Sequence, residues 1–287
     1  MATEALVLGG PLASEVELLT RDRGLVGLRA QIELGGVRID RVDLAGAVDR
    51  VRTLLRSDGA HQIVTVNLDF LSIARQNTKF RQTLNHADLA VADGMPLVWL
   101  SRLKPVPLVE RVAGVELFSE CCALAAEEGR SVFLLGAAPG VADKAAAVLQ
   151  ERFPGLQVAG TYSPPNGPLS RRETDRIVKM VRRAAPGFLF VALGAPRQDL
   201  WICDQMDRLN VPVSMGVGCV FDLVAGQVSR APGWMRRMGL EWAYRLGHEP
   251  TRLWRRYLLN DLPLLTQLLW ASLGEARADG SRVAVST

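Results

Sequence analysis

From residue 62 to residue 218 the chain alternates short, continuously apolar runs with longer amphipathic stretches, and this pattern limits the fold more than any other feature. The apolar runs are QIVTVN (62–67), LAVAD (89–93), SVFLLG (131–136), QVAGTY (157–162), FLFVALG (188–194) and VPVSMGVG (211–218). A strand apolar on both faces must be covered on both faces. Helical patterns fill the intervals at 43–57, 70–87, 95–103, 114–129, 140–152, 170–184 and 196–209. Such alternation builds an α/β fold, a mostly parallel sheet with helices over both faces. QIELGGVRIDRV (31–42) reads as a hairpin or two short strands ahead of it, and residues 1–30 as a weakly ordered extension.

The alternation stops near residue 223, so the core is expected to span 31–226. A helical appendage over 227–275 and a flexible tail over 276–287 follow. Within the appendage, RAPGWMRRMGLEWAYRLGHEPTRLWRRY (230–257) carries seven arginines against two glutamates, a local +5 in a chain whose net charge is +4. Trp234, Trp242, Tyr244, Trp254 and Tyr257 are interleaved with them. Arginine binds phosphate bidentately, and Trp and Tyr settle where apolar and wet media meet. The combination fits an anionic membrane surface, a lipid-linked diphosphate, nucleic acid, or a solvated helical face whose aromatics are core. A core ending near Gly226 is expected to fold alone.

Composition narrows the classes. With 48% apolar and 22% charged residues the chain reads as a soluble globule. No run reaches ~18 apolar residues, so any membrane contact is expected to be peripheral. The N-terminus lacks a basic n-region and a sustained apolar run, so no signal peptide is read there. Cys121, Cys122, Cys203 and Cys219 show no CxxC spacing, which points to a reduced, cytosolic protein.

Ligands of open α/β sheets lie beyond the carboxyl ends of the strands. The polar residues and turns there are Thr65 and Asn67, Asp93-Gly94, Gly136–Gly140, Gly194–Gln198, and Gly216 through Asp222. Glycine turns before helices expose N–H groups that suit a diphosphate, although turn glycines also serve packing. Asp93 ends an apolar strand, where it is either a tuned base or an N-cap for the next helix. Thr65 and Asn67 face the same choice, and Arg111 is either a phosphate clamp or a surface arginine. GxGxxG, GxxxxGK[ST] and GxSxG motifs are absent. No Asp-x-Asp pair occurs and His61, His86 and His248 lack ligand spacing, so no metal and no cofactor are expected.

In order, VTVNLDFLSIARQN, LNHADLAVADGMPLVWLSRL, ERVAGVELF, VFLLGAAPGVADKAAAVLQERFPGLQVAGTY, LFVALGAPRQDLWI, VGVGCVFDLVAGQVSRAPGWMRRMGLEWAYRL and EPTRLWRRYL resemble the WecG/TagA/CpsF family of bacterial glycosyltransferases across about residues 31–260. The resemblance implies a Rossmann-like core and inverting, metal-independent transfer. The implied donor is a UDP-sugar and the implied acceptor a polyprenyl-diphosphate-linked saccharide, at the cytoplasmic face of the cell membrane. It implies Asp93 as general base, with Thr65 and Asn67 lining the pocket. Arg111, Gly136, Gly140, Gly194, Gln198 and Asp222 would bind the donor, with Arg237 and Arg245 of the appendage closing over it. Leu68-Asp69 replaces the Pro-Glu often found after the asparagine, and residues 1–30 have no family counterpart. A homo-oligomer is a family tendency. The alternatives are a non-catalytic nucleotide-sugar-binding protein or a nucleic-acid-binding module, and no nucleic-acid partner is expected.

Overall fold

The computed structural model describes residues 30–238, 240–248, 250–255 and 261–270. It begins with a hairpin of β1 (Gln31–Leu34) and β2 (Val37–Asp40). Gly35 and Gly36 close it at φ 59° and 81°, a backbone that glycine adopts without strain. Then follow α1 (Leu44–Arg56), β3 (His61–Val66), α2 (Leu68–Gln76), α3 (Thr78–His86), β4 (Leu89–Ala92) and α4 (Met95–Ser101). Next come α5 (Gly114–Glu127), β5 (Ser131–Gly136), α6 (Val141–Arg152), β6 (Gln157–Tyr162) and α7 (Arg171–Ala184). The core closes with β7 (Phe188–Ala192), α8 (Arg197–Leu209), β8 (Val213–Gly216) and α9 (Val220–Val224). Beyond lie α10 (Gly233–Arg237), α11 (Glu241–His248), α12 (Pro250–Arg255) and a helical run over 261–270.

Six strands form one wholly parallel sheet in the order β4-β3-β8-β7-β5-β6. Side chains alternate between two apolar layers, as the strand repeat requires. Val132 and Leu134, Phe188 and Phe190, and Val213 and Met215 face α1, α5, α6 and α9. Phe133, Leu135, Leu189 and Val191 face α7 and α8, while Val64, Val66, Ala90 and Ala92 face the hairpin, α2, α3 and α4. Phe118 meets Phe190 edge-on with ring centroids 4.6 Å apart. Each aromatic buried in this way contributes about 2–3 kcal/mol. The fold is α/β and Rossmann-like, covered on both faces.

One expectation needs correction. The helix read over 70–87 is two helices, broken at Asn77, whose side chain accepts from the Phe80 N–H at 2.9 Å and starts α3. Asparagine competes for local backbone donors, so it opens a new helix rather than continuing the old one. The expected core boundary near Gly226 leaves open whether the apolar stretch 258–273 packs on the core. Leu264 is buried among the hairpin, α2, α3 and α4, with Leu265, Leu268 and Leu269 packed beside it, and Arg75 donates to Gln267 at 2.6 Å. Part of the apolar layer is thus supplied from beyond the expected boundary. The sequence window 271–287, including the tail read over 276–287, lies outside the described residues, as does 1–29.

Candidate active site

Adjacent strands β5 and β7 send their chains in opposite directions, β5 outward through α6 to β6 and β7 back through α8 to β8. Their carboxyl ends therefore flank a topological switch point, the place where such sheets open a crevice. Gly136 is required there, because a Cβ on it would lie 2.4 Å from the Ala192 carbonyl oxygen, and its φ is 113°. Gly140 (φ 80°) and Gly194 (φ 76°) open onto free space, with nothing within 4 Å of a Cβ placed on either. The Ala195–Pro196 peptide in the second turn is cis. Ser163, at the end of β6, donates to the Gly136 carbonyl at 3.0 Å.

Helix starts around this edge differ in how their N–H groups are satisfied. Asn67 caps α2 and Ser170 caps α7 through side-chain oxygens. The helices α4, α5, α6, α8 and α9 have no side-chain cap. Some of their first-turn donors are taken by backbone carbonyls, Val141 N–H by Ala138 O at 3.0 Å and Gln198 N–H by Gly194 O at 3.0 Å, and the positive dipole ends carry no side-chain oxygen.

Asp93 leaves β4 with its backbone tied by Asp93 N–H to Val66 O at 2.7 Å, and Val112 N–H donates to Ala92 O at 2.9 Å. The capping alternative is not realised: Gly94 occupies the N-cap of α4 without a side-chain bond. Instead the carboxylate turns toward the start of α5. A Cβ on Gly114 would lie 3.3 Å from Asp93 Oδ2 and 3.2 Å from Thr65 Oγ1. Thr65 is buried and Asp93 half-buried. Carboxylate and hydroxyl thus converge on the first residue of α5, whose missing side chain makes the room. Gly114 escaped the sequence reading; its signal was a glycine opening a helix directly after the ERVA segment. For Asn67 the capping alternative is the observed one, its Oδ1 accepting from the Phe70 N–H at 3.1 Å.

Arg111 is largely buried and sits among carboxylates, 3.5 Å from Glu116 on α5 and 3.6 Å from Glu241 on α11. Arg230 reaches the same Glu116 at 2.8 Å. This chain of charges fastens the start of the appendage beside the Asp93–Thr65 pair. Neither Glu116 nor Glu241 was singled out from sequence. Asp222 is half-buried on α9, where its backbone carbonyl accepts from Gln227 and Val228. Arg237 and Arg245 fall on α10 and α11, and their side chains lie outside the described residues.

Gln198 has a structural task. It is buried, and its Oε1 accepts from the N–H groups of Gly194 and Gly218, both at 3.1 Å. One carboxamide ties the turn after β7 to the turn after β8. The Gly194 N–H is therefore already engaged. Among the described residues, no group of His, Cys, Asp and Glu is arranged to hold a metal ion. Cys121 and Cys122 are buried, and burial raises both thiols well above their usual range.

On the appendage, Trp234, Met238, Trp242 and Trp254 are exposed. Among the described residues, no helix is long and apolar enough to cross a membrane.

A parallel sheet wound in both directions from β5 and β7, with glycine turns at those strand ends and a carboxylate–hydroxyl pair at the ends of β4 and β3, has the architecture of α/β proteins that handle ligands at the strand ends. Comparison with known proteins narrows this. The model of the glycosyl transferase WecG/TagA/CpsF family matches residues 32–278, and the chain belongs to that family. Among its relatives is an N-acetylglucosaminyldiphosphoundecaprenol N-acetyl-beta-D-mannosaminyltransferase of Staphylococcus aureus strain MW2. It is 30% identical over 237 residues, covering 82% of this chain and 90% of the relative. A protein of the same name from strain NCTC 8325 / PS 47 is 31% identical over 218 residues, covering 75% and 84%.

Proposed function

We propose that this chain transfers an N-acetylhexosamine-type sugar, N-acetylmannosamine in the first instance, from a UDP-sugar to a polyprenyl-diphosphate-linked N-acetylglucosamine, with inversion. The acceptor follows the names of the S. aureus relatives, which cover most of this chain. N-acetylmannosaminuronate and glucose are the other donors to try. The product would serve a cell-surface or extracellular polysaccharide.

The observation that carries the mechanism is the convergence of Asp93 and Thr65 on Gly114. In the proposed step Asp93 accepts the proton of the acceptor hydroxyl. The hydroxyl oxygen bonds to the anomeric carbon, and the bond from that carbon to the donor phosphate breaks with its electron pair leaving on UDP. One displacement from the opposite face inverts the centre. Thr65 orients the attacking hydroxyl, and Asn67 acts by shaping the backbone that presents Thr65. The diphosphate lies over the Gly136–Gly140 and Gly194–Gln198 turns, near the uncapped starts of α6 and α8. Asp222 faces the nucleoside. Arg111, with Arg237 and Arg245 of the appendage, offsets charge developing on the leaving group, which is where preorganised cations act most strongly.

Transfer requires a lipid-linked acceptor, so the exposed tryptophans and the arginines of 230–257 are assigned to peripheral contact with an anionic cytoplasmic-face membrane. A homo-oligomer is compatible with this arrangement. The test is Asp93→Asn, an isosteric loss of the base. Labelled-sugar transfer should fall by about 10²–10⁴-fold while UDP-sugar binding and thermal stability stay near wild type. Near-normal turnover with the authentic lipid acceptor would remove Asp93 from this role.

A further inference from the structure

Behind the Gln198 tie lies a carboxyl group that no step above uses. Asp199 is completely buried, and its carboxyl oxygens make no hydrogen bond of full geometry, the groups nearest to serving them being the Gln198 amide and its own backbone N–H. It packs against Gly216 of β8: a Cβ placed there would lie 2.6 Å from both Asp199 Oδ1 and Gln198 Nε2. Acid and carboxamide therefore share one small space against the sheet, open only because position 216 lacks a side chain. The backbone is pinned as well, since Gln62 on β3 donates to the Asp199 carbonyl at 2.9 Å. A buried polar group left unsatisfied costs free energy, so it is retained where its neighbours need it.

We propose that Asp199 is a positioning residue, a buried acid behind Gln198 that keeps the carboxamide oxygen on the Gly194 and Gly218 N–H groups and so sets the spacing of the two turns. Gln198 has one oxygen and one NH2 group. While Asp199 is uncharged its carboxyl exerts little pull on that NH2, and the oxygen serves the two glycines. Ionised, Asp199 draws the NH2 toward itself, and the oxygen moves off the turns. Burial pushes the Asp199 carboxyl up to about 7, with the Gln198 amide as a smaller opposing influence.

The titratable pair at β3 is His61 with Asp88, at 3.2 Å, and Asp88 also accepts from the Gln62 N–H at 3.0 Å. On this side β8 offers Ser214 and Gly216, β3 offers Gln62, and β7 offers Leu189 and Val191. Along α8, Arg197 reaches the carbonyls of Gly167 and Leu193, and Cys203 lies one turn on. The charged groups that α3 and α7 bring to α8 are Lys79 and Asp175, paired with Asp204 and Arg208.

The role in catalysis rests on the proposed placement of the donor over the Gly194 turn; the role in the turns does not. Amide exchange of Gly194 and Gly218 in the full-length protein, corrected for intrinsic rates, separates the two. Between pH 6 and pH 8.5 their protection should fall about tenfold or more in wild type, as each unit of separation between pH and pKa shifts the charge ratio tenfold. In Asp199→Asn it should stay flat. Transfer assays should show the wild-type KM for UDP-sugar rising over the same range with kcat little changed, and Asn abolishing that rise. Equal protection at both pH values in wild type would overturn the proposal, as would a carboxyl resonance titrating below about 5. The resonance measurement keeps the test valid even if the Asn variant does not fold. If protection follows pH but KM does not, the placement of the donor is wrong and the strut stands.

Discussion

Gly114→Ala is the sharpest test of the site geometry, because it adds one methyl group where the carboxylate and hydroxyl converge. The new Cβ would lie 3.2 Å from Thr65 Oγ1, 3.3 Å from Thr65 Cγ2 and 3.3 Å from Asp93 Oδ2. Ordinary contacts lie at about 3.5–4.0 Å, so each neighbour must yield by a few tenths of an ångström. For the fold, two terms oppose each other. Alanine gains up to about 1 kcal/mol in a helix over glycine, and slight overpacking costs about 1 kcal/mol or somewhat more. Stability should therefore move by less than about 1 kcal/mol either way. Catalysis has no compensating term. Reacting groups must be held within about 0.5 Å, and a 1 Å error can cost about 10²-fold. A loss of about tenfold in kcat is expected, with the KM for UDP-sugar nearly unchanged. Labelled-sugar transfer to a synthetic prenyl-diphosphate N-acetylglucosamine, run beside a thermal melt, reads both quantities. Full kcat at unchanged Tm would mean that this convergence is not where the chemistry happens.

Gly136→Ala should abolish soluble expression: its Cβ would lie 2.4 Å from the Ala192 oxygen at a φ of 113°, and such strain exceeds about 3 kcal/mol. A chain ended after Gly226 loses Leu264 and its neighbours, each worth about 1.5–3 kcal/mol when buried; cooperative melting near the full-length temperature would contradict this. Asp199 carries a sign for stability. Its folded pKa of about 7 exceeds the unfolded value of about 3.9, so its contribution is complete below pH ~4 and lost as pH rises to 7. Melts of Asp199→Asn should lack that decline. Intact protein should sediment with anionic vesicles at low salt and release as salt shortens the Debye length, each basic residue near the surface contributing about 1 kcal/mol. Equal sedimentation with neutral vesicles would argue against the membrane assignment.

The sheet was readable because each core strand is an apolar run and each run ends in a turn signal, so strand ends could be named before any topology was known. Strand order was not readable. That β7 enters between β5 and β8 depends on pairings between distant segments, and no local pattern encodes this. Asp93 and Thr65 were legible as strand-end polar residues. Gly114 was not, since its importance lies in an absent atom facing residues far away in sequence. Gln198 was named for a ligand-binding role, and its burial with two backbone donors adds a tie between turns that no local pattern announced. The Glu116–Arg111–Glu241 chain was hidden for a related reason: charge pairs across long separations leave no periodicity. The apolar stretch 258–273 read equally as a surface contact or as packing on the core, and the buried Leu264 takes the second.

The appendage is held at two points. Arg230 fastens its beginning to α5, and the helical run over 261–270 returns to the layer beneath the hairpin. The exposed Trp234, Trp242 and Trp254 therefore belong to a closed excursion rather than a trailing end. A trailing end landing on a bilayer would capture the enzyme but leave it free to tumble on its leash. A loop secured at both feet transmits orientation too, so contact through those tryptophans would set which way the crevice faces as well as how far it lies from the lipid. With the lipid-linked acceptor proposed above, which is confined to a plane, that would turn a search over all rotations into a search within the plane.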